Sequence, residues 1–154
     1  MVNFPTIWMK RGEARMLMGE YLHTIDAKAR VFVPAKLRDG LGESFTIAKN
    51  IDGCLSLYSA EEWSKLCAKI ELLPDSQTRE IKRFIFAFAF EVSPDSHGRI
   101  TLPQVLRDFA NLDREAVFLG LGNRAELWDA NRWNAMKTGD NIAEIEKQMK
   151  ELGL

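Results

Sequence analysis

The sequence has little of what disulfide-linked, metal-binding or membrane-spanning proteins require. Only two cysteines, Cys54 and Cys67, and two histidines occur in 154 residues, too few for a disulfide framework or a zinc-ligand pattern. The longest apolar run is residues 84–90, whereas a membrane-spanning helix needs about 20 residues. No apolar stretch is followed by a cleavage-site pattern. We therefore expect a reduced, intracellular and cytoplasmic protein, with no membrane span, no metal and no cofactor.

The chain also lacks an excess of positive charge. It has 21 basic and 22 acidic residues and a net charge of −1, so the whole molecule has no cationic field that would attract nucleic acid. Any nucleic-acid binding must come from a local basic patch. The hydrophobic content of 46% is enough for a core, and the length fits one domain or two small ones.

A pattern of six residues occurs twice. In each copy an aspartate is followed after four residues by an arginine and after eight by a proline, and then by a Leu-Arg-Asp triplet. The copies are Asp26, Arg30, Pro34, Leu37, Arg38 and Asp39, and, 69 residues later, Asp95, Arg99, Pro103, Leu106, Arg107 and Asp108. An internal repeat of this kind determines the fold more than any other feature.

Each copy predicts the same local structure. The alternating run after the first arginine, 30–33 or 99–102, is typical of a strand. The proline suits the first turn of a short helix, where its missing N–H would be unpaired anyway. We expect Leu37 and Leu106 to face the core, and the arginine that follows each to stay in contact with water.

The hydrophobic pattern predicts the remaining elements. Further strands are expected at 19–25, 44–49, 54–58, 116–120 and 125–128, and helices at 35–40, from Ser59 to about 73, at 77–89 and in the amphipathic tail that carries Ile142, Ile145, Met149 and Leu152. The 77–89 helix is apolar nearly all round and is expected to be buried on several sides. Each half is too small to bury an adequate core alone, so we expect the two halves to interlock in an α+β fold.

These elements suggest five segments. Residues 19–66 and 89–132 are the two modules, 67–88 is a connecting helical segment, and 133–154 is a helical tail. Residues 1–15 show no clear period, and the Lys-Arg-Gly-Glu stretch at 10–13 can be encoded by a purine-rich ribosome-binding sequence. Our hypothesis is that Met16 is the natural start and that 1–15 is a mis-annotated leader.

Three stretches resemble the MraZ family of bacterial regulators, which is encoded at the head of the division and cell-wall gene cluster. They are Met-Gly-Glu-Tyr-x-His-Thr-Ile-Asp-x-Lys at 18–28, Val-Pro-Ala-Lys-x-Arg at 33–38 and Asn-Arg-x-Glu-Leu-Trp at 123–128. The resemblance covers about residues 16–135. It implies tandem, pseudo-symmetric AbrB-like modules of the double-psi or swapped-hairpin β-barrel kind, with short flanking helices. It also implies a ring-shaped homo-oligomer, associated with the nucleoid, that binds direct repeats in double-stranded promoter DNA upstream of its own operon.

The same resemblance implies where DNA is contacted. The family's Asp-x-x-x-Arg motif corresponds to Asp26 and Arg30 in the first copy and to Asp95 and Arg99 in the second, and Lys28 matches a basic residue of the first loop. The family has glycine before the first arginine, where this chain has Ala29. If that position needs a positive φ, alanine costs roughly 1 kcal/mol or somewhat more, and the first loop is slightly reshaped.

The chemistry of these residues suits DNA. Arginine presents a planar fork that matches guanine O6 and N7, and the two aspartates can brace the loop or orient the arginine. The remaining candidate contacts are Lys36, Arg38, His97 and Arg107. For the two arginines we favour the helix surface or a phosphate over a base, whereas His97 fits a phosphate contact and a plain solvated position equally well.

Other motifs have ordinary structural interpretations. His23 falls in a predicted strand, the two cysteines lie on apolar faces, and Trp63 and Trp133 occupy matching helix positions as packing anchors. The stretch 120–125 formally matches a dinucleotide fingerprint, but a strand follows it instead of a helix.

Two functions therefore remain open. One is a DNA-binding transcriptional regulator. The other is an oligomeric structural or interaction protein that acts on a protein partner, such as the methyltransferase of the adjacent gene. An enzyme with a small-molecule substrate is not expected, because the sequence has no nucleophile–base pair at a telling spacing, no metal cluster and no phosphate loop.

Overall fold

The computed structural model describes residues 16–138 and 141–154. The strands are β1 (Leu17–Thr24), β2 (Arg30–Phe32), β3 (Phe45–Lys49), β4 (Leu55–Ser59), β5 (Phe90–Val92), β6 (Arg99–Thr101), β7 (Glu115–Gly122) and β8 (Ala125–Asp129). The helices are α1 (Ala35–Leu41), α2 (Ala60–Glu71), α3 (Asp75–Ile85), α4 (Gln104–Ala110), α5 (Ala130–Thr138) and α6 (Ile142–Glu151). The hypothesised leader, 1–15, lies outside the described residues.

The two halves share their sheets. A six-stranded antiparallel sheet has the order β1-β7-β8-β4-β3-β5, and β2 pairs with β6 in a separate two-stranded ribbon. Strands of the first half pair with strands of the second at four places: β1 with β7, β4 with β8, β3 with β5, and β2 with β6. The expected α+β fold, in which each half completes the other, is confirmed.

The larger of two hydrophobic clusters in the described residues lies between the halves. Both copies of the repeat contribute to it, with Val31 and Leu37 from the first and Ile100 and Leu106 from the second, each at most 2% exposed. Pro34 and Pro103 stand at the N-caps of α1 and α4, so the predicted helix starts and the inward-facing leucines are confirmed. The shared core explains why neither half is an independent unit.

Local capping also agrees with the sequence. Ser59 caps α2, since its side-chain oxygen accepts a hydrogen bond from the Glu62 amide at 3.2 Å. The two predicted tryptophan anchors make equivalent contacts. The ring of Trp63 lies 5.7 Å from that of Tyr58, and the ring of Trp133 lies 5.9 Å from that of Trp128.

The prediction for the helix at 77–89 was wrong in two respects. Helix α3 spans Asp75–Ile85, and the chain turns before β5 begins at Phe90. The amides of Phe86 and Ala87 both bond to the Lys82 carbonyl, at 2.8 and 3.3 Å, which ends the helix so that β5 can pair with β3. The helix is also not buried on several sides, because Thr78 is its one buried residue.

The strand expected after the glycines of residues 120–125 is present. Gly120 and Gly122 lie in β7 and Ala125 begins β8, so a strand follows the glycines in place of the helix that a dinucleotide site requires. Within the described residues, no helix is long and apolar enough to cross a membrane. The same part of the chain holds no group of three or more His, Cys, Asp or Glu side chains that could bind a metal ion.

Candidate nucleic-acid interface

The β2–β6 ribbon places the two motif arginines on one surface. Arg30 pairs with Thr101 and Arg99 pairs with Phe32, on either side of the central pair Val31–Ile100. The central pair is buried, at 1% and 2% exposed. Because neighbouring residues of a strand point to opposite faces, the two arginines lie on the outer face, at opposite ends of the ribbon.

Asp26 organises the first loop. Its Oδ1 accepts hydrogen bonds from the amides of Lys28 and Arg30, both at 2.9 Å, and its Oδ2 accepts one from Nε of Arg30 at 2.8 Å. These bonds to the charged form, those from the Arg30 backbone above all, hold the pKa of Asp26 below its usual value. The aspartate therefore fixes both the loop backbone and the arginine side chain.

The second loop repeats this geometry with Asp95. Its Oδ1 accepts from the amides of His97 at 2.9 Å and Arg99 at 3.0 Å, and its Oδ2 accepts from Nε of Arg99 at 3.1 Å. The same bonds, led by that from the Arg99 amide, lower the pKa of Asp95. Two loops 69 residues apart in sequence thus form the same structure.

Both arginines keep one end available. In each, Nε is engaged by its aspartate and the side chain is 30% exposed. Within the described part of the chain, the terminal nitrogens of Arg30 and Arg99 have no hydrogen-bond partner. A guanidinium that is fixed at Nε and free at its outer end is pre-organised to donate to an external acceptor.

The position before each arginine requires a positive φ. Ala29 has φ 62° and Gly98 has φ 78°, so the condition under which alanine is expected to carry a conformational cost is met. At position 98 a Cβ would lie 2.8 Å from Cε1 of Phe32. The equivalent of Phe32 in the second copy is the smaller Thr101, which explains sterically why a side chain fits at 29 but not at 98.

Arg38 belongs to the first half but lies at the second loop. Its Nε donates to the Val33 carbonyl at 2.8 Å, and the Val33 amide in turn donates to the Gly98 carbonyl at 2.9 Å. Its guanidinium lies over the ring of Phe32, 5.2 Å from the centroid. Arg38 also lines an open cavity of about 420 Å³ together with Asp95.

Arg107 makes the reciprocal arrangement at the first loop. Its Nε donates to the Leu102 carbonyl at 3.1 Å, and the Leu102 amide donates to the Ala29 carbonyl at 2.8 Å. Arg107 shares an open cavity of about 740 Å³ with Asp26, Lys28 and Arg114. Each loop is therefore completed by an arginine from the opposite half.

Two of the remaining candidate residues lie in the loops, and the third lies outside them. Lys28 and His97 are exposed and occupy matching positions in the two loops, whereas Lys36 is exposed on α1 and lines neither of the two loop cavities. Sequence reasoning missed Arg114, which lies outside the repeat. Its carbonyl accepts from the Ile25 amide at 2.6 Å, a contact that depends on the pairing of β1 with β7 and leaves no local signal.

His23 and the cysteines have structural surroundings. The His23 ring packs 5.2 Å from that of Phe32 and 6.4 Å from that of Phe118, and burial lowers the pKa of its imidazole. Cys54 is fully buried, which raises the pKa of its thiol, and burial also raises the pKa of the Cys67 thiol. Neither thiol has the lowered pKa of a nucleophile.

The family model described as "MraZ protein, putative antitoxin-like" matches the chain twice, at residues 16–84 and 85–152. The transcriptional regulator MraZ of Acetivibrio thermocellus is 44% identical over 143 residues, which covers 90% of this chain and 100% of the relative. The regulator MraZ of Alkaliphilus oremlandii is 43% identical over 143 residues, with the same coverage. That of Carboxydothermus hydrogenoformans is 44% identical over 138 residues, 87% of this chain and 96% of the relative.

These relatives carry the names of regulators and not of enzymes, in agreement with the expectation that the chain is not an enzyme. The two matches of the family model together span nearly all of the described residues, and each match contains one copy of the Asp-x-x-x-Arg loop. The chain therefore belongs to the MraZ family.

Proposed function

We propose that the protein is a sequence-specific DNA-binding regulator of transcription, and that Arg30 and Arg99 read guanines in the major groove. The observation that carries this proposal is the shared outer face of the β2–β6 ribbon, on which two arginines are held at Nε by aspartates. The major groove of B-DNA admits a two-stranded β-ribbon, and the arginine fork pairs with O6 and N7 of guanine. The names of the relatives support the same role.

The neighbouring cations fit contacts to the DNA backbone. Lys28, Arg38, His97 and Arg107 lie in or against the two loops, and Lys36 extends the basic surface along α1. In this proposal they neutralise phosphates and set the position of the ribbon, while sequence is read by Arg30 and Arg99. We add Arg114 to these phosphate contacts because it lines the same cavity as Arg107.

A net charge of −1 gives a single subunit little general attraction to DNA. We therefore include in the proposal a ring-shaped homo-oligomer that presents many ribbons to direct repeats upstream of its own operon, the division and cell-wall gene cluster. Several weak contacts on one duplex gain through effective concentration. Regulation of that operon would place the protein on the nucleoid in the cytoplasm.

The test is a titration of upstream DNA with wild type, Arg30→Ala, Arg99→Ala and the double variant. A bidentate arginine–guanine pair discriminates by about 1–3 kcal/mol, so each single variant should lose roughly 10-fold or more in affinity, and the double variant should lose specific binding. Lys147→Ala removes a positive charge from the exposed helix α6 and is the matched control. Equal affinity of the double variant and the control for the repeats would refute the proposal.

A further inference from the structure

An open apolar groove runs between α3 and the β3–β4 hairpin. It encloses about 500 Å³, and its apolar lining is Ile81, Phe84 and Ile85 from the helix and Ile51 and Tyr58 from the hairpin. The charged residues Glu80 of α3 and Arg124 also line it, and Arg124 is paired with Glu126. Ile51 is 90% exposed and Ile81 is 40% exposed. Exposed apolar side chains that line one groove are typical of a surface that binds a partner.

The groove also contains a lysine without an acidic partner. The Lys49 ammonium lies 3.6 Å from the ring centroid of Phe88 and 5.1 Å from that of Phe109. Among the residues that the structure describes, no carboxylate lies within ion-pair distance of it. A segment that fills this groove well should therefore present apolar side chains along one face and an acidic side chain at its flank.

Helix α6 has these properties. Ile145, Met149 and Leu152 are 51%, 44% and 74% exposed, and their spacing of four and three residues places them on one helical face. Glu146 flanks that face. Its ion pair with Lys150, at 3.3 Å, is largely exposed, so it contributes little and can be exchanged for another partner.

We infer that α6 of one copy of the chain docks into the groove between α3 and the β3–β4 hairpin of a second copy. Ile145, Met149 and Leu152 serve as anchors in the manner of a helix bound in a groove, and Glu146 lies near Lys49. In a single chain the groove and the apolar face of α6 are both exposed to solvent, so α6 does not cover the groove of its own chain.

This inference rests on the self-assembly included in the proposed function and names the two surfaces through which the copies would contact each other. A helix that binds a groove on the next copy is a heterologous contact, in which the two partners use different surfaces. Such contacts form a closed ring when the rotation between copies closes. The β2–β6 ribbons are not part of this contact, so every copy in the ring keeps its DNA-reading surface.

The first test compares molecular mass in solution by light scattering. Ile145→Asp on the helix and Ile81→Asp in the groove each place a charge in the contact, and both positions are exposed, so folding is preserved and can be checked by circular dichroism. Each variant should fall to the mass of one chain, 17.6 kDa. Lys147→Asp, on the opposite face of α6, is the control and should keep the wild-type mass. An unchanged mass for Ile145→Asp, or a wild type of 17.6 kDa, would overturn the inference.

The second test identifies the two surfaces by a disulfide. Chains with Ile81→Cys are mixed with chains with Met149→Cys, both with Cys67→Ser to remove the partly exposed native thiol. Oxidation should link different chains, and Lys147→Cys in place of Met149→Cys should link at least 10-fold less. A chain that carries both cysteines and links only within itself would show that α6 occupies its own groove, against the inference.

DNA binding separates this inference from the proposed function. Ile145→Asp should bind a duplex with one repeat as the wild type does, and lose affinity only for a duplex with several repeats. If Arg30→Ala and Arg99→Ala lose binding to a single repeat, the DNA proposal stands. If Ile145→Asp keeps the wild-type mass in the same experiments, the helix contact is rejected.

Discussion

Ala29 and Gly98 show how one backbone requirement is met by two different residues. Both have φ in the left-handed region, at 62° and 78°, because the loop must turn back so that the arginine amide reaches Oδ1 of the aspartate. Glycine adopts this region freely, whereas an L-residue with a Cβ pays about 1–2 kcal/mol. The first loop therefore carries strain that the second does not.

Exchanging the two residues should have opposite effects on stability. Ala29→Gly should raise the free energy of unfolding by about 1 kcal/mol, since it removes the left-handed penalty. Gly98→Ala should lower it by at least about 1 kcal/mol, because the new Cβ also meets Phe32 and Arg38 at 2.8 and 3.0 Å. Urea unfolding measures both. A loss of stability in Ala29→Gly would show that alanine contributes packing that outweighs its strain.

His23 gives a stability that depends on pH. Burial lowers the pKa of its imidazole in the folded chain, whereas the unfolded chain titrates near 6.5. As the pH falls through about 6.5 the unfolded state takes up a proton that the folded state resists, so the free energy of unfolding decreases until the lower, folded pKa is passed. The stabilisation is complete above about pH 6.5 and is lost below it.

Replacing the histidine assigns the effect to His23. His23→Phe should flatten the dependence of unfolding free energy on pH between about 5 and 7.5, and Lys147→Ala, on the exposed helix α6, is the control that should keep the wild-type slope. Asp26 and Asp95 act in a different window, because their lowered pKa values stabilise the fold above about pH 4. Equal slopes for His23→Phe and wild type would contradict the assignment.

The braced arginines could be predicted from the sequence because their determinants are local. An aspartate that accepts bonds from amides two and four residues away needs only its own loop. The cost of alanine at position 29, should φ be positive there, could be stated for the same reason. The contacts of Arg38 with the second loop and of Arg107 with the first could not be predicted, since they depend on how the two halves exchange strands.

At the level of elements, the contact between β4 and β8 is held by a buried carboxylate. Glu126 is 4% exposed and lies opposite Ser56 in the sheet. Its Oε1 accepts from the Trp128 indole at 2.9 Å, and its Oε2 accepts from Asn50 and from Arg124, both at 3.1 Å. Since Asn50 lies beyond β3 in the first half, this network fixes the register between the halves.

Removing that carboxylate should destabilise the whole fold. Glu126→Ala leaves the Trp128 indole without its acceptor and Asn50 with Ser56 as its remaining acceptor, at 2.9 Å. The change should cost about 2–3 kcal/mol, and the cost is limited because Arg124 is 35% exposed and can be solvated. Urea unfolding measures the loss. Glu151→Ala on the exposed helix α6 is the control and should change stability by less than about 0.5 kcal/mol. If Glu126→Ala also changed the free energy of unfolding by less than about 0.5 kcal/mol, the network would not hold the two halves together.

Most strand and helix positions followed from the sequence, but the strand pairs that join the two halves did not. The cross-half pairs form between residues that are far apart in the chain, and local patterns of hydrophobicity carry no information about such partners. The error at α3 has the same origin. Its apolar run continues to Phe90, yet pairing of β5 with β3 takes residues 90–92 into the sheet and the helix ends at Ile85.

At the level of the whole molecule, a chain with net charge −1 can bind DNA only if its local cations face the duplex together. In the proposed function, the ribbon gives each copy two arginines that read bases and a small set of phosphate contacts. Affinity for DNA should then fall linearly with the logarithm of the salt concentration, with a slope of about −0.9 for each phosphate neutralised. Base contacts contribute to specificity and phosphate contacts to the slope.

This division of labour distinguishes Lys28 from Arg30. Lys28→Ala should weaken binding to the repeats and to a scrambled duplex by the same factor, and should make the salt slope shallower by about 1 for each loop engaged. Arg30→Ala should instead reduce the ratio of the affinity for the repeats to the affinity for the scrambled duplex. Fluorescence anisotropy on duplexes with one repeat and with several, at four salt concentrations, measures both quantities.

With several repeats the affinity of wild type should rise by about 100-fold or more through effective concentration. An Arg30→Ala variant that keeps the wild-type ratio between repeat and scrambled DNA would show that the ribbon grips phosphates and reads no base.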